Sequence, residues 1–173
     1  MTTTELFPVT VIIEIEKYSN MKWEYDRIKD ELFLDRILNY PYFYPYAYGF
    51  IPYTLGNDGD ELDILLITDK KYPNYNTERT SSIDGYIVGG LMMHDEKGAD
   101  EKIFVVPIDE IDEYNCKSAS EIQQMEENIV WFFSNYKSKD TDKWSQVEQL
   151  ITKEDAIITY KHSYSKWLKT INL

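Results

Sequence analysis

Asn57-Asp58-Gly59-Asp60-Glu61-Leu62-Asp63 places three aspartates within six positions, with a glycine inside the cluster and the apolar run Ile64-Leu65-Leu66 behind it. An aspartate ionises near pH 3.9, so three gathered side chains repel one another at neutral pH unless a cation joins them. Oxygen donors with no Cys or His beside them suit a hard ion such as Mg2+ or Mn2+. Taken alone, the same stretch also reads as an acidic turn entering a buried strand. A second knot, His94-Asp95-Glu96-Lys97-Gly98-Ala99-Asp100-Glu101-Lys102, repeats the pattern of aspartates and glycine at a strand-loop-strand junction. If the two junctions converge, Asp58, Asp60, Asp63, Asp95 and Asp100 form one cluster. Lys22, Arg36, Lys102 and Lys137 then bring cations from four separate segments. Hard metal ions with Lys and Arg around an anion describe a phosphoryl-transfer site, where metals neutralise charge and clamp the leaving group.

Other chemistries fit less well. Leu62 stands at the third oxygen position of an EF-hand and Asp63 where its glycine belongs, which excludes that motif. The chain has no P-loop, no dinucleotide-binding glycine pattern and no motif supporting a Ser/His/Asp triad. Cys116 is the only cysteine, so no internal disulfide forms and a reducing compartment fits. A nucleophilic Cys116 needs a histidine, and only His94, which reads as a loop residue, and His162 are available.

These side chains need a scaffold. Val9–Ile15 is β-branched and reads as a strand; Lys22–Asp26 alternates charged and aromatic residues, and with Leu32–Arg36 it makes a hairpin displaying Lys22, Glu24 and Arg36. From Tyr40 to Tyr53 three prolines and six tyrosines point to an aromatic loop, with regular helix and central strand excluded. Glu61–Thr68, Tyr86–Met93 and Ile103–Pro107 read as strands, and 70–83 as a surface loop. The C-terminal third reads as helical. Ser118 with Glu121 forms a capping box ahead of an apolar stripe from Ile122 to Tyr136, and a last helix is capped near Thr152. Strands first and helices after give an α+β fold with a curved or closed sheet.

With 173 residues, the whole span 1–173 is expected to be one domain with a full core. The net charge of −13 disfavours nucleic acid and anionic lipid as partners, and no apolar run approaches membrane-spanning length. A cytoplasmic protein is expected.

Asp58-Gly59-Asp60-Glu61-Leu62-Asp63-Ile64 resembles the signature of the family I soluble inorganic pyrophosphatases of the short, bacterial type. Ile13-Glu14-Ile15, Lys22-Trp23-Glu24, Phe33-Leu34-Asp35-Arg36, Phe43-Tyr44-Pro45 and Tyr48-Gly49 resemble the family's upstream motifs in order. Val88-Gly89-Gly90-Leu91, Asp95-Glu96, Asp100-Glu101-Lys102, Phe132-Phe133, Tyr136-Lys137 and Lys143-Trp144 continue it, so the resemblance spans about residues 9 to 145. Glu16, Glu61, Gly90 and Met93 depart from the commoner choices without removing a chemical group that the family uses.

The resemblance implies a small five-stranded, OB-like β-barrel with helices packed against it. It also implies Mg2+-dependent hydrolysis of pyrophosphate to two orthophosphates by a metal-activated water. By the same resemblance Asp58, Asp63 and Asp100 are ligands of the tighter metal site, with Asp63 shared with a second ion. Asp95 and Asp100 hold a substrate-borne metal, and Glu24 is an outer ligand. Asp60 is the general base. Lys22, Arg36, Tyr48, Lys102, Tyr136 and Lys137 bind phosphate, and Glu14 and Tyr44 support them. A homo-hexamer is the oligomer implied, with Trp131 and Asn135 as candidate contacts. The rival expectation is a catalytically inactive metal- or anion-binding barrel of the same fold.

Overall fold

The structure, a computed structural model, describes residues 5–75 and 82–172. Eight strands and three helices run in the order β1 (Pro8–Ile15), β2 (Met21–Asp26), β3 (Glu31–Ile37), β4 (Ala47–Ile51), β5 (Leu62–Leu66), β6 (Ser82–Asp95), β7 (Gly98–Pro107), α1 (Ile111–Asn115), α2 (Ala119–Asn135), β8 (Ser145–Ile151) and α3 (Lys153–Ile171). The main sheet has the order β1-β4-β5-β7-β6-β8, and β6 also pairs back onto β1. That extra pairing closes β1, β4, β5, β7 and β6 into a five-stranded barrel, which removes the free edges an open sheet would expose. The fourteen residues of β6 make this possible. Ser82–Tyr86 pair with β1, while Gly90–Asp95 carry β8 as an added strand. β2 and β3 form a separate two-stranded sheet.

Strand side chains alternate between two faces, and here both faces are buried. Val9, Val11 and Ile13 of β1, Leu62, Ile64 and Leu66 of β5, and Ile103 and Val105 of β7 share one cluster inside the ring, joined by Ala156 of α3. The opposite set, including Tyr48, Leu65, Leu91, Met93, Phe104 and Val106, packs outward against Met125, Ile129, Phe132 and Phe133 of α2. The capping box at the start of α2 is formed in both directions between Ser118 and Glu121, and Thr152 accepts from the Asp155 amide at the start of α3. No helix among the described residues is long and apolar enough to cross a membrane.

Three expectations are corrected. The tyrosine- and proline-rich stretch is not a continuous loop, because Ala47–Ile51 forms β4, buried between β1 and β5. Proline forbids ladder pairing only at its own position and biases the residue before it towards extended backbone, and the five residues of β4 contain no proline. The C-terminal third is not wholly helical: Ser145–Ile151 is the edge strand β8, whose half-exposed pattern becomes a strand by pairing with the free half of β6. His94 lies on β6 rather than in a loop, with Nδ1 2.8 Å from Glu148 of β8. Of the expected surface loop at 70–83, residues 71–75 are irregular and 82–83 begin β6, while 76–81 lie outside the described residues.

Candidate active site

Parallel pairing sets Asp63 of β5 directly beside Lys102 of β7, and antiparallel pairing sets Asp100 opposite Met93 of β6. Asp63 shares the outward face with Leu65, as Asp100 and Lys102 share it with Phe104. The polar residues therefore continue the outer apolar stripe to its end, where α2 is capped by Tyr136 and followed by Lys137. Asp95 ends β6 at a tight turn through Glu96 and Lys97, closed by the Lys97 amide donating to Asp95 Oδ1 at 2.8 Å and by Gly98 at φ 125°. The acidic loop before β5 is folded locally as well. The Asp60 amide donates to Asp58 Oδ1 at 3.1 Å, the Gly56 amide donates to the Asp60 carbonyl at 2.7 Å, and Gly59 takes φ 93°, which favours glycine.

These elements surround one cavity of about 410 Å3. Asp58, Asp60, Asp63, Asp95 and Asp100 all line it, as do Glu14 and Glu24. So do Lys22, Arg36, Tyr48, Lys102, Tyr136 and Lys137. Tyr44 does not. It is buried behind the wall, its ring centroid 5.3 Å from Tyr48 and 4.8 Å from Phe132, and its contribution there is to hold Tyr48 in place.

Lys102 is the centre of the polar network. Its buried Nζ donates to Asp63 Oδ2 at 2.6 Å, to Asp100 Oδ1 and to the Tyr48 hydroxyl at 2.8 Å, and that hydroxyl donates to Asp63. Burial works to lower the pKa of Lys102, but the Asp100 and Asp63 carboxylates outweigh it and hold the ammonium well above its usual range. Burial pushes Asp100 up despite Lys102, and Asp63 and Asp95 add to the rise. Lys137 donates to Asp95 at 2.8 Å and to Glu96 at 3.1 Å; burial raises the Asp95 pKa, yet this bond brings it below the usual carboxylate range. Glu14 accepts from the Tyr25 amide at 2.9 Å. Burial, with the Asp63 charge, pushes Glu14 up to about 8. Burial also raises the Tyr44, Tyr48 and Tyr136 hydroxyls, which stay protonated and able to donate far above neutral pH.

On the opposite wall Lys22 donates to Glu24 and to Asp35 at 3.2 Å. Arg36 reaches Asp140 at 3.3 Å through Nη1, while its buried Nε has no hydrogen-bond partner. The wall also contains residues for which the sequence suggested no role: Arg27, Asp35, Glu61, Glu96, Lys97 and Lys143. Asp35 and Lys143 sit inside matched motifs, and that was the signal available for them. Glu61 stands inside the signature itself, whereas Arg27, which pairs with it across 34 positions, had no such signal.

The lining holds ten carboxylates against seven Lys and Arg side chains, three more negative than positive groups. Hard divalent cations fit this set, which is all oxygen, in charge excess, and includes a Glu14 forced towards its neutral form. Among the described residues no three metal-ligating side chains form a ready-made cage. Lys102 stands between Asp63 and Asp100, and Lys137 between Asp95 and Glu96, each ammonium holding a position that a cation would share.

The family model for inorganic pyrophosphatase matches residues 11–168. The chain belongs to the inorganic pyrophosphatase family. It is 39% identical over 150 residues to the inorganic pyrophosphatase of Helicobacter pylori, covering 85% of this chain and 84% of that one. It is 37% identical over 164 residues to that of Nanoarchaeum equitans, covering 93% and 98%. Among solved structures, the Helicobacter pylori inorganic pyrophosphatase superposes with a TM-score of 0.84 at 34% identity, over 96% of this chain and 99% of that one. The Thermus thermophilus enzyme superposes with a TM-score of 0.83 at 29% identity. Members of the pyrophosphatase family are enzymes that hydrolyse pyrophosphate.

Proposed function

We propose that the chain hydrolyses pyrophosphate to two orthophosphates with Mg2+ as its working cation. One water adds across the P–O–P bridge, and its two protons are shared between the products, so the balance needs no other reactant. The observation that carries the reading is the single cavity in which carboxylates of the acidic loop, β5, β6 and β7 face cations of the hairpin, β7 and the segment after α2.

Asp58, Asp63 and Asp100 are the residues to hold the tighter ions, with Asp95 and Glu24 supplying outer oxygens. When bound, the divalent ions supply Lewis acidity that lowers the pKa of a water and neutralises phosphate charge. Asp60 takes the proton of the attacking water. Among the described residues its carboxylate takes no hydrogen bond, which supports the role of a free base, while its backbone is pinned at both the amide and the carbonyl. Lys22, Arg36, Lys102 and Lys137 grip phosphate oxygens, and the unpartnered Arg36 Nε is a donor available to one of them. Tyr136, kept protonated by burial, donates to an oxygen that gains charge as the bridge breaks, and Tyr48 does so when its hydroxyl turns from Asp63 to the phosphate. Glu14 and Tyr44 hold Tyr25 and Tyr48 in place from behind.

The deciding assay is orthophosphate release from pyrophosphate with Mg2+, with EDTA, and with nucleoside triphosphates as competing substrates. Release that depends on Mg2+ and favours pyrophosphate is expected. A chain that binds Mg2+ and releases nothing would be the inactive barrel instead. A cytoplasmic homo-hexamer completes the reading. Trp131 is exposed on α2 beside Tyr42, and Asn135 lies one turn on, so this face suits a subunit contact; sedimentation velocity of the wild type against Trp131→Glu tests it.

A further inference from the structure

The hairpin β2–β3 carries Lys22, Glu24 and Arg36 into the cavity but belongs to neither the barrel sheet nor a helix. Two antiparallel strands alone are marginal in water, so the place of the hairpin depends on what ties it down. Several ties run to the barrel wall and to the segment after α2. The Tyr25 ring lies over Phe50 at 5.6 Å, the Tyr25 amide donates to Glu14, and Arg36 pairs with Asp140. The tie that ends on the acidic loop is the ion pair between Arg27, in the hairpin turn, and Glu61, the residue directly after Asp60. Glu61 is mostly buried, with a side-chain exposure of 15%, while Arg27 reaches in from water at 54%. Asn57, at the other end of that loop, is held by Glu101 at 3.2 Å and by Lys166 of α3.

We propose that Arg27 and Glu61 are positioning residues, their ion pair strapping the hairpin turn to the acidic loop and setting the span between Lys22 and Asp60. The inference rests on the hydrolytic reading and deepens it. Asp60 stands on an exposed loop that turns through Gly59, and the bonds that hold its backbone, to Asp58 and Gly56, lie within that loop and set no span to the hairpin. Glu61 fixes the far end against the hairpin that holds the phosphate. A base misplaced by about 1 Å can cost roughly a hundredfold in rate. A pair with one partner in water shifts a local equilibrium by only about two- to fivefold. The strap should therefore act on kcat at the scale of a few-fold, with little change in substrate grip.

The test is steady-state orthophosphate release with saturating Mg2+, with amide hydrogen exchange over residues 21–37 and 56–61. Arg27→Gln and Glu61→Gln are each expected to lower kcat about two- to fivefold with KM little moved. The double variant is expected to be no worse than either single one, as one interaction is lost only once. Arg27→Lys, and the exchanged pair Arg27→Glu with Glu61→Arg, should recover most of the loss. Exchange in both segments should speed up in the single variants and slow again in the exchanged pair. A fall for Arg27→Gln but not for Glu61→Gln would mean that Arg27 meets the substrate directly, and the strap would be wrong. Additive losses, or unchanged exchange in the single variants, would overturn it as well. If the wild type turns over no pyrophosphate, the hydrolytic reading fails by itself. The exchange measurements still decide whether the strap exists.

Discussion

Replacing Lys102 by methionine keeps much of the side-chain volume and removes the one ammonium that stands between Asp63 and Asp100. At those separations of 2.6 and 2.5 Å each pairing is worth about 6 kcal/mol of gross attraction at an effective dielectric near 20. Burial of Lys102 and partial burial of the two carboxylates oppose most of this, and deleting one partner of a buried pair costs about 3–5 kcal/mol net. Protonation of Asp100, already pushed up by burial, is the cheapest escape and keeps the loss from growing further. For a chain of this size each kcal/mol moves Tm by about 2–4 °C, so a fall of roughly 6–20 °C is expected in EDTA. Excess Mg2+ should narrow the gap to wild type, because a cation shared by Asp63 and Asp100 replaces the missing charge; saturation at a hundred times Kd adds about 2.7 kcal/mol. Activity should stay low if Lys102 also grips phosphate, as proposed above. Thermal unfolding of both proteins with EDTA and with Mg2+ gives the four values needed. An equal gap under both conditions would refute the idea that these two carboxylates share a cation.

Glu14→Gln addresses the pH response. In chelator the folded chain keeps a proton on Glu14 that the unfolded chain releases, so the stability it contributes is full below about 4.5 and lost as pH rises through about 8. Wild type should weaken across that window and the variant should not; parallel denaturation curves between pH 5 and 8 would contradict the assignment. Mg2+ binding at pH 7 should also expel a proton from the wild type, read by calorimetry in two buffers of different ionisation enthalpy. Asp60→Asn should cut turnover by about 10²–10⁴-fold with the thermal midpoint unchanged if it is the base, and a loss below fivefold would argue against that role. Asp63→Asn should raise the Mg2+ concentration needed for half-maximal rate; an unchanged requirement would remove it from the ligand set.

The parts of the fold that were legible in the sequence are those that local chemistry decides. The capping box at Ser118, the stripe of α2 and the β-branched runs of β1, β5 and β7 form where their own residues favour them. β4 and β8 were not legible, because their pairing partners decide them. Ala47–Ile51 lies between two prolines and becomes a strand through its ladders with β1 and β5. Ser145–Ile151 has three intermediate positions among exposed ones and needs the far half of β6. The same division holds for the cavity. Residues inside quoted motifs, from Lys22 to Lys137, could be gathered by resemblance, and they line one cavity. Arg27 and Asp140 could not, since each matters through a partner far away in sequence, Glu61 in one case and Arg36 in the other.

Both faces of β5 and β7 are committed, one to the barrel interior and the other to the cavity and α2. A slip of one residue in β5 would turn Asp63 into the lumen among Val11 and Ile103 and present Ile64 to the cavity in its place. Such a slip would bury a carboxylate without partners and break the Lys102 network at once, so a mispaired chain could not persist as an inactive look-alike. The cavity aspartate of β5 thus proofreads the strand register that carries it. Single-residue insertions within β5 or β7 should be lethal to folding itself, and length changes are better tolerated in the connection between β5 and β6.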